Sequence, residues 1–140
     1  MTRTFTFLVA PAVCGLALAA HDAPDAGKPK VTTLSAAEIA EKVDGKAATA
    51  TTVEVTLEPG QSSPPHRHPG PVFGYVIEGT YEWAVDDRPA RTLKAGDTFY
   101  EPTGCLHRVS KNPGATRTRV LAIVVHPRDA KQISAPEPGK

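Results

Sequence analysis

His66-Arg67-His68 places two imidazoles two residues apart. On an extended chain such residues point to one face, with Cα atoms about 6.5 Å apart. Both rings can then reach one metal ion, for which neutral imidazole is the commonest protein ligand. Alone, the triplet serves equally well as two solvated histidines in a proline-rich loop, since Pro64, Pro65 and Pro69 surround it. Its context carries more information. Gly60 precedes it, Gly79 follows it, and Gly96, Pro102, Gly104 and His107 come later in the order G-x5-P-x-G-x2-H. Cys105 lies two residues before His107, so a strand begun there turns both side chains to one face. A thiol at that place is a contact to metal or substrate, a redox-sensitive group, or a small buried filler.

The elements that must hold these groups are strands. Val53, Val55 and Leu57 alternate with polar residues up to Pro59-Gly60, and Tyr81, Trp83 and Val85 alternate up to Asp86-Asp87. Val72 to Ile77 is almost continuously apolar, as in a strand covered on both faces, and Val120 to Val125 is similar. With Arg91–Leu93, Thr98–Tyr100 and Leu106–Ser110 this makes seven short strands between Gly and Pro turns, the pattern of an antiparallel sandwich or barrel. The 14 prolines among 140 residues, about twice ordinary usage, exclude a helical bundle. One short helix is expected. Ser35-Ala36-Ala37-Glu38 has the form of a capping box, Ala36 to Val43 would propagate the helix, and Gly45 would stop it. All six aromatic residues after the first 20 positions fall between Phe73 and Tyr100, where they form core or line a cavity. Trp83 is thus a candidate to stack on a planar ligand, and Tyr75 and Tyr100 to donate phenolic hydrogen bonds, with packing as the alternative for each.

A chain of this length folds as one domain. Its formal net charge of +1 provides no field for a phosphate backbone, so nucleic acid is not an expected partner. Residues 1–19 carry one positive charge, Arg3, and then an apolar stretch from Phe5 to Leu18 interrupted by Pro11 and Gly15. That is the pattern of a secretory signal cleaved after Ala19, giving a periplasmic or secreted protein with no membrane attachment afterwards. Cleavage leaves Cys105 as the single cysteine and no intramolecular disulfide. Residues 20–34 then read as a flexible lead-in, 35–130 as the barrel and 131–140 as a frayed tail.

The glycine, proline and histidine spacings resemble the two motifs of the cupin superfamily. Gly60, His66, His68 and Gly79 match G-x5-H-x-H-x3,4-E-x6-G over residues 60–79, and Gly96, Pro102, Gly104 and His107 match G-x5-P-x-G-x2-H-x3-N over 96–112. The resemblance covers about residues 50 to 127 and implies a double-stranded β-helix, or jelly roll, in a small single domain. It departs from the family at two places. The glutamate ligand of the first motif would fall on Val72 or Phe73, neither of which binds metal, and Lys111 stands where the second motif has asparagine, with Asn112 one place late.

Carried over residue by residue, the resemblance implies His66, His68 and His107 as a three-histidine site for one divalent transition metal. The set is similar to the ferrous sites of the thiol-dioxygenase branch, so iron is the first expectation; zinc, manganese, nickel and copper also suit imidazole. Without a carboxylate the site would keep the full charge of the ion and favour anionic ligands. Glu54, Gln61 and Glu101 are the nearby oxygen donors, and no spacing places any of them on the metal. The implied function is an exported metalloenzyme that activates dioxygen or polarises a carbonyl of a small molecule. A non-catalytic metal-binding or sensor barrel is the alternative, and a homodimer is implied for both.

Overall fold

A computed structural model describes residues 27–138. The expected signal segment lies outside the described residues. Ten strands follow one another: β1 (Lys30–Val43), β2 (Lys46–Leu57), β3 (His66–Arg67), β4 (Val72–Glu78), β5 (Thr80–Val85), β6 (Arg91–Lys94), β7 (Thr98–Glu101), β8 (Leu106–Lys111), β9 (Thr118–Pro127) and β10 (Ala135–Pro136). They form two antiparallel sheets of five, ordered β1-β2-β9-β4-β7 and β10-β3-β8-β5-β6. Each of the seven expected short strands is present. In β9 the alternation is complete, every second side chain from Thr118 to His126 being buried. Tyr81, Trp83 and Val85 of β5 pack with Leu57, Val76, Phe99 and Val120 from the opposite sheet, and each such apolar side chain contributes about 1.5–3 kcal/mol by leaving water.

The helix expected over Ala36 to Val43 is a strand. Val43 pairs with Lys46, so Asp44 and Gly45 alone make the reversal, with φ of 50° and 75°. Two residues at positive φ form a type I′ hairpin turn, for which Asp-Gly is a preferred pair. A single short helix with only Ile39 and Val43 as apolar anchors is marginal in water, whereas the edge of β2 offers a ladder to the whole of β1. That ladder starts at Lys30, so the lead-in ends earlier than expected.

The described part of the expected tail pairs with β3. Ala135 and Pro136 pair with Arg67 and His66, Glu137 N–H donates to the Pro65 carbonyl, and Arg67 donates to the Glu137 carboxylate at 2.8 and 3.1 Å. Arg67 thereby points away from its two histidine neighbours, as its strand parity requires. Val72 to Ile77 is not covered on both faces: Val72, Gly74 and Val76 are buried, while Phe73 and Tyr75 are exposed.

The displaced asparagine has a local cause. Val85 pairs with His107 but Ala84 pairs with Val109, so Arg108 is one residue extra in β8. This β-bulge absorbs the added position and returns Ser110 and Asn112 to the buried face. Asn112 Nδ2 donates to the carbonyls of Leu57 (3.0 Å) and Thr116 (2.8 Å), and its Oδ1 accepts from the Gly114 N–H (2.9 Å). Asn112→Ala is expected to destabilise the protein by about 2 kcal/mol, since the buried carbonyls lose their donor. A urea midpoint unchanged from wild type would refute this. Gly79, which closes the first motif, has φ of 80°, and a Cβ there would lie 2.5 Å from the Arg117 carbonyl oxygen. Both facts require glycine.

Candidate metal centre

His66 and His107 are direct cross-strand partners on β3 and β8, and His68 follows two positions after His66. The ring centroid of His66 lies 4.9 Å from that of His68 and 4.8 Å from that of His107. One nitrogen from each of the three rings falls within 4.8 Å of the others. The hydrogen bonds of the remaining nitrogens set the tautomers. His66 Nδ1 lies 2.8 Å from the Pro64 carbonyl oxygen and His68 Nδ1 lies 2.6 Å from that of Ile133. A carbonyl only accepts, so each Nδ1 carries the proton and each Nε2 keeps its lone pair for a metal. Burial holds His68 below the usual imidazole range, with His66 nearby adding to the effect. Burial, followed by the charges of His66 and His68, pushes His107 down to about 3. Both rings are therefore neutral at physiological pH, as ligation requires.

A fourth group belongs to this cluster, and spacing alone does not reveal it. Glu101 of β7 is 1% exposed. Its Oε1 accepts from the indole Nε1–H of Trp83 at 3.1 Å and lies 3.2 Å from His107 Nδ1, while its Oε2 lies 3.6 Å from His68 Nε2. Burial pushes its carboxyl up to about 7, and the Trp83 N–H pulls in the other direction. The contacts to the two neutral imidazoles are thus not ion pairs. One signal in the sequence points to Glu101: it shares the inward parity of Phe99 in the run Thr-Phe-Tyr-Glu, an ionisable group in phase with a core aromatic.

Two buried side-chain polar atoms among the described residues have no hydrogen-bond partner, Glu101 Oε2 and His107 Nδ1. Leaving such an atom unsatisfied costs about 1–3 kcal/mol. Both lie in this cluster, and both are donors to a cation. The residues present therefore fit a divalent metal, which His66, His68 and His107 would hold.

The cluster opens into a cavity of about 310 Å³. Val53, Val72, Val120, Ala122 and Val124 form an apolar wall opposite the histidines, and Tyr81 and Ser110 bring hydroxyls beside them. Tyr81 Oη lies 2.9 Å from Ser110 Oγ and 3.4 Å from His107 Nε2. Lys28 and Pro29 also line this space.

Three of the four pocket candidates are elsewhere, and the fourth acts indirectly. Tyr75 and Tyr100 are 44% and 49% exposed on the outer face of β4 and β7, where Tyr100 packs with Phe73. Strand alternation puts them there, because Gly74, Val76, Phe99 and Glu101 take the inner positions. Cys105 has the parity of His107 but is buried among core side chains and does not line the cavity. Burial, with Glu101 nearby, pushes its thiol up to about 11. Cys105 in folded protein is expected to resist aromatic disulfide reagents at pH 8 and to react at once in denaturant; equal rates in both states would overturn that. Trp83 is core, its ring 5.6 Å from that of Phe99, and it touches the site only by holding Glu101.

The Cupin domain model matches residues 53–124, which include both motifs. A conserved double-stranded β-helix protein from Klebsiella pneumoniae subsp. pneumoniae MGH 78578 is 24% identical, with a TM-score of 0.60 over 82% of this chain and 90% of that one. The DMSP lyase DddQ from Ruegeria pomeroyi DSS-3 is 18% identical, with a TM-score of 0.59 over 81% of this chain and 54% of its own. An oxalate oxidase is 23% identical, with a TM-score of 0.60 over 84% of this chain and 58% of its own. This chain therefore spans little more than half the length of those two enzymes, and at such identities the likeness establishes the fold. No curated protein matches the chain. With the motif glycines at their turns, three histidines gathered inside a double-stranded β-helix and the family model over half of its length, this chain belongs to the cupin family.

Proposed function

We propose that this chain is a metal-dependent cupin enzyme acting on a small polar molecule, with a dioxygenase-like reaction on ferrous iron as the specific form. The observation that carries the reading is the donor set: ligand-ready imidazoles and two orphaned buried atoms facing a cavity of about 310 Å³, near the lower limit for small-molecule pockets. A divalent transition metal bound there supplies Lewis acidity and, as iron, electron transfer to dioxygen. The chain's own residues do the rest. The Pro64 and Ile133 carbonyls fix two rings, so little reorganisation accompanies binding. The valine wall gives the cavity an apolar side and room for a small molecule, and the Tyr81 and Ser110 hydroxyls offer hydrogen bonds to an oxygen of the bound molecule. The oxalate oxidase and the DMSP lyase, both fold neighbours, act on small molecules and support that substrate class. The proposal includes export by the segment 1–19 and a homodimer.

Elemental mass spectrometry on tag-free protein tests the metal, beside a variant with His66, His68 and His107 changed to alanine. About one iron per chain, lost in the variant, is expected. Oxygen consumption with thiols, phenols and small carboxylates then tests the reaction. Metal without turnover on any class would replace the enzyme by a metal-storing or sensing barrel, and no metal after reconstitution at neutral pH would refute the reading entirely.

A further inference from the structure

We infer that Glu101 is a fourth protein ligand of this centre, delivered from β7 to the place that the first cupin motif fills from β4. The inference rests on the metal reading above and adds a residue that the motif does not assign. Val72, which stands where the motif has glutamate, is the direct cross-strand partner of Glu101. Directly opposed residues in an antiparallel pair point to the same face, with Cβ atoms about 5 Å apart. A carboxylate moved from 72 to 101 therefore enters the barrel from an adjacent position, and the valine leaves it room.

The side chain is held for ligation. Trp83 Nε1–H fixes Oε1 and leaves Oε2 without a hydrogen-bond partner, 3.6 Å from His68 Nε2. Two donors each about 2.1 Å from one ion, at angles from octahedral to tetrahedral, lie about 3.0–3.4 Å apart. Oε2, the oxygen left without a partner, lies 3.6 Å from His68 Nε2, just beyond that range. The alternative is that Glu101 merely orients His107 through an Nδ1–H hydrogen bond. The structure does not support it, because Nδ1 makes no such bond despite its 3.2 Å distance from Oε1. With Glu101 bound, the charge of the protein-ligated divalent ion falls by one, so the preference for anions expected of a three-histidine site is weakened. The substrate class shifts toward neutral or singly charged oxygen donors.

Cobalt(II), added to metal-free protein and followed by isothermal titration and visible absorption, is the test. Wild type is expected to bind one ion per chain. Glu101→Gln keeps the shape and the acceptor for Trp83, and it is expected to bind about a hundredfold more weakly, with a changed d–d spectrum because an oxygen ligand is lost. In Val72→Glu combined with Glu101→Gln, the carboxylate returns to the family position and affinity is expected to recover at least about tenfold over the single variant. Thermal melts of both variants establish that they fold. A wild-type spectrum in Glu101→Gln, at any affinity, would overturn the ligand role, and so would the absence of recovery in the double variant. Absence of binding by wild type would instead remove the metal reading and this inference with it.

Discussion

Metal-free Glu101→Gln protein is expected to be more stable than metal-free wild type at pH 8, by about 3 kcal/mol, and the two are expected to converge near pH 4.5. The folded-state pKa of Glu101 is raised from 4.5 to about 7. Between those values the folded chain holds a proton that the unfolded chain releases, so the stability contributed by this group is fully present below pH 4.5. It is lost as pH rises through 7, at about 1.4 kcal/mol for each pH unit between the two values. Glutamine does not ionise and retains it. His107 and His68 work in the opposite sense. Their folded pKa values are depressed, so the unfolded chain takes up protons first and stability is lost as pH falls below 6.5 toward 3. Both proteins carry those histidines, so the difference between them isolates Glu101. Urea unfolding of the two metal-free proteins at pH 8, 6 and 4.5 measures it; a wild type as stable as the variant at pH 8 would show that burial does not hold the Glu101 carboxyl above its ordinary range. A substitution that stabilises the empty protein and weakens the loaded one is what a group kept for function produces.

Metal saturation should narrow that gap, because wild type binds the ion more tightly than the variant. At a free ion concentration a hundredfold above Kd, binding to the folded state alone adds about 2.7 kcal/mol. For a domain of this size that is a rise in Tm of about 8–12 °C, abolished by chelator. His66→Ala is the informative variant, because His66 is only half-buried and its removal leaves the core intact. It is expected to melt close to metal-free wild type and to show almost none of the metal-dependent rise. A full rise in His66→Ala would place the ion somewhere other than among the three histidines.

Several strands were legible because alternation is a local property: a period of two along Val53–Leu57 or Tyr81–Val85 requires only that one face be buried. Residues 35–43 show the limit of local reading. Their alanines and capping box favour a helix in isolation, and the Asp44-Gly45 turn with the open edge of β2 outweighs that preference by satisfying the whole backbone at once. Tyr75 and Tyr100 show another limit. An aromatic run such as Phe73 to Tyr75 does not say which parity faces inward, and packing against Phe99 settles it for Gly74.

The sequence by itself determined the pairing of His66 with His68, which share a face through strand period, while His107 joined them through the resemblance to the second cupin motif. Only the tertiary structure decided the rest of the site. Glu101 reaches the histidines because β4 and β7 pair in the register that sets it against Val72, and because Trp83 from the other sheet holds one of its oxygens. Registers between strands and contacts between sheets are made by the closing of the barrel, which brings together residues whose separation along the chain carries no trace of it.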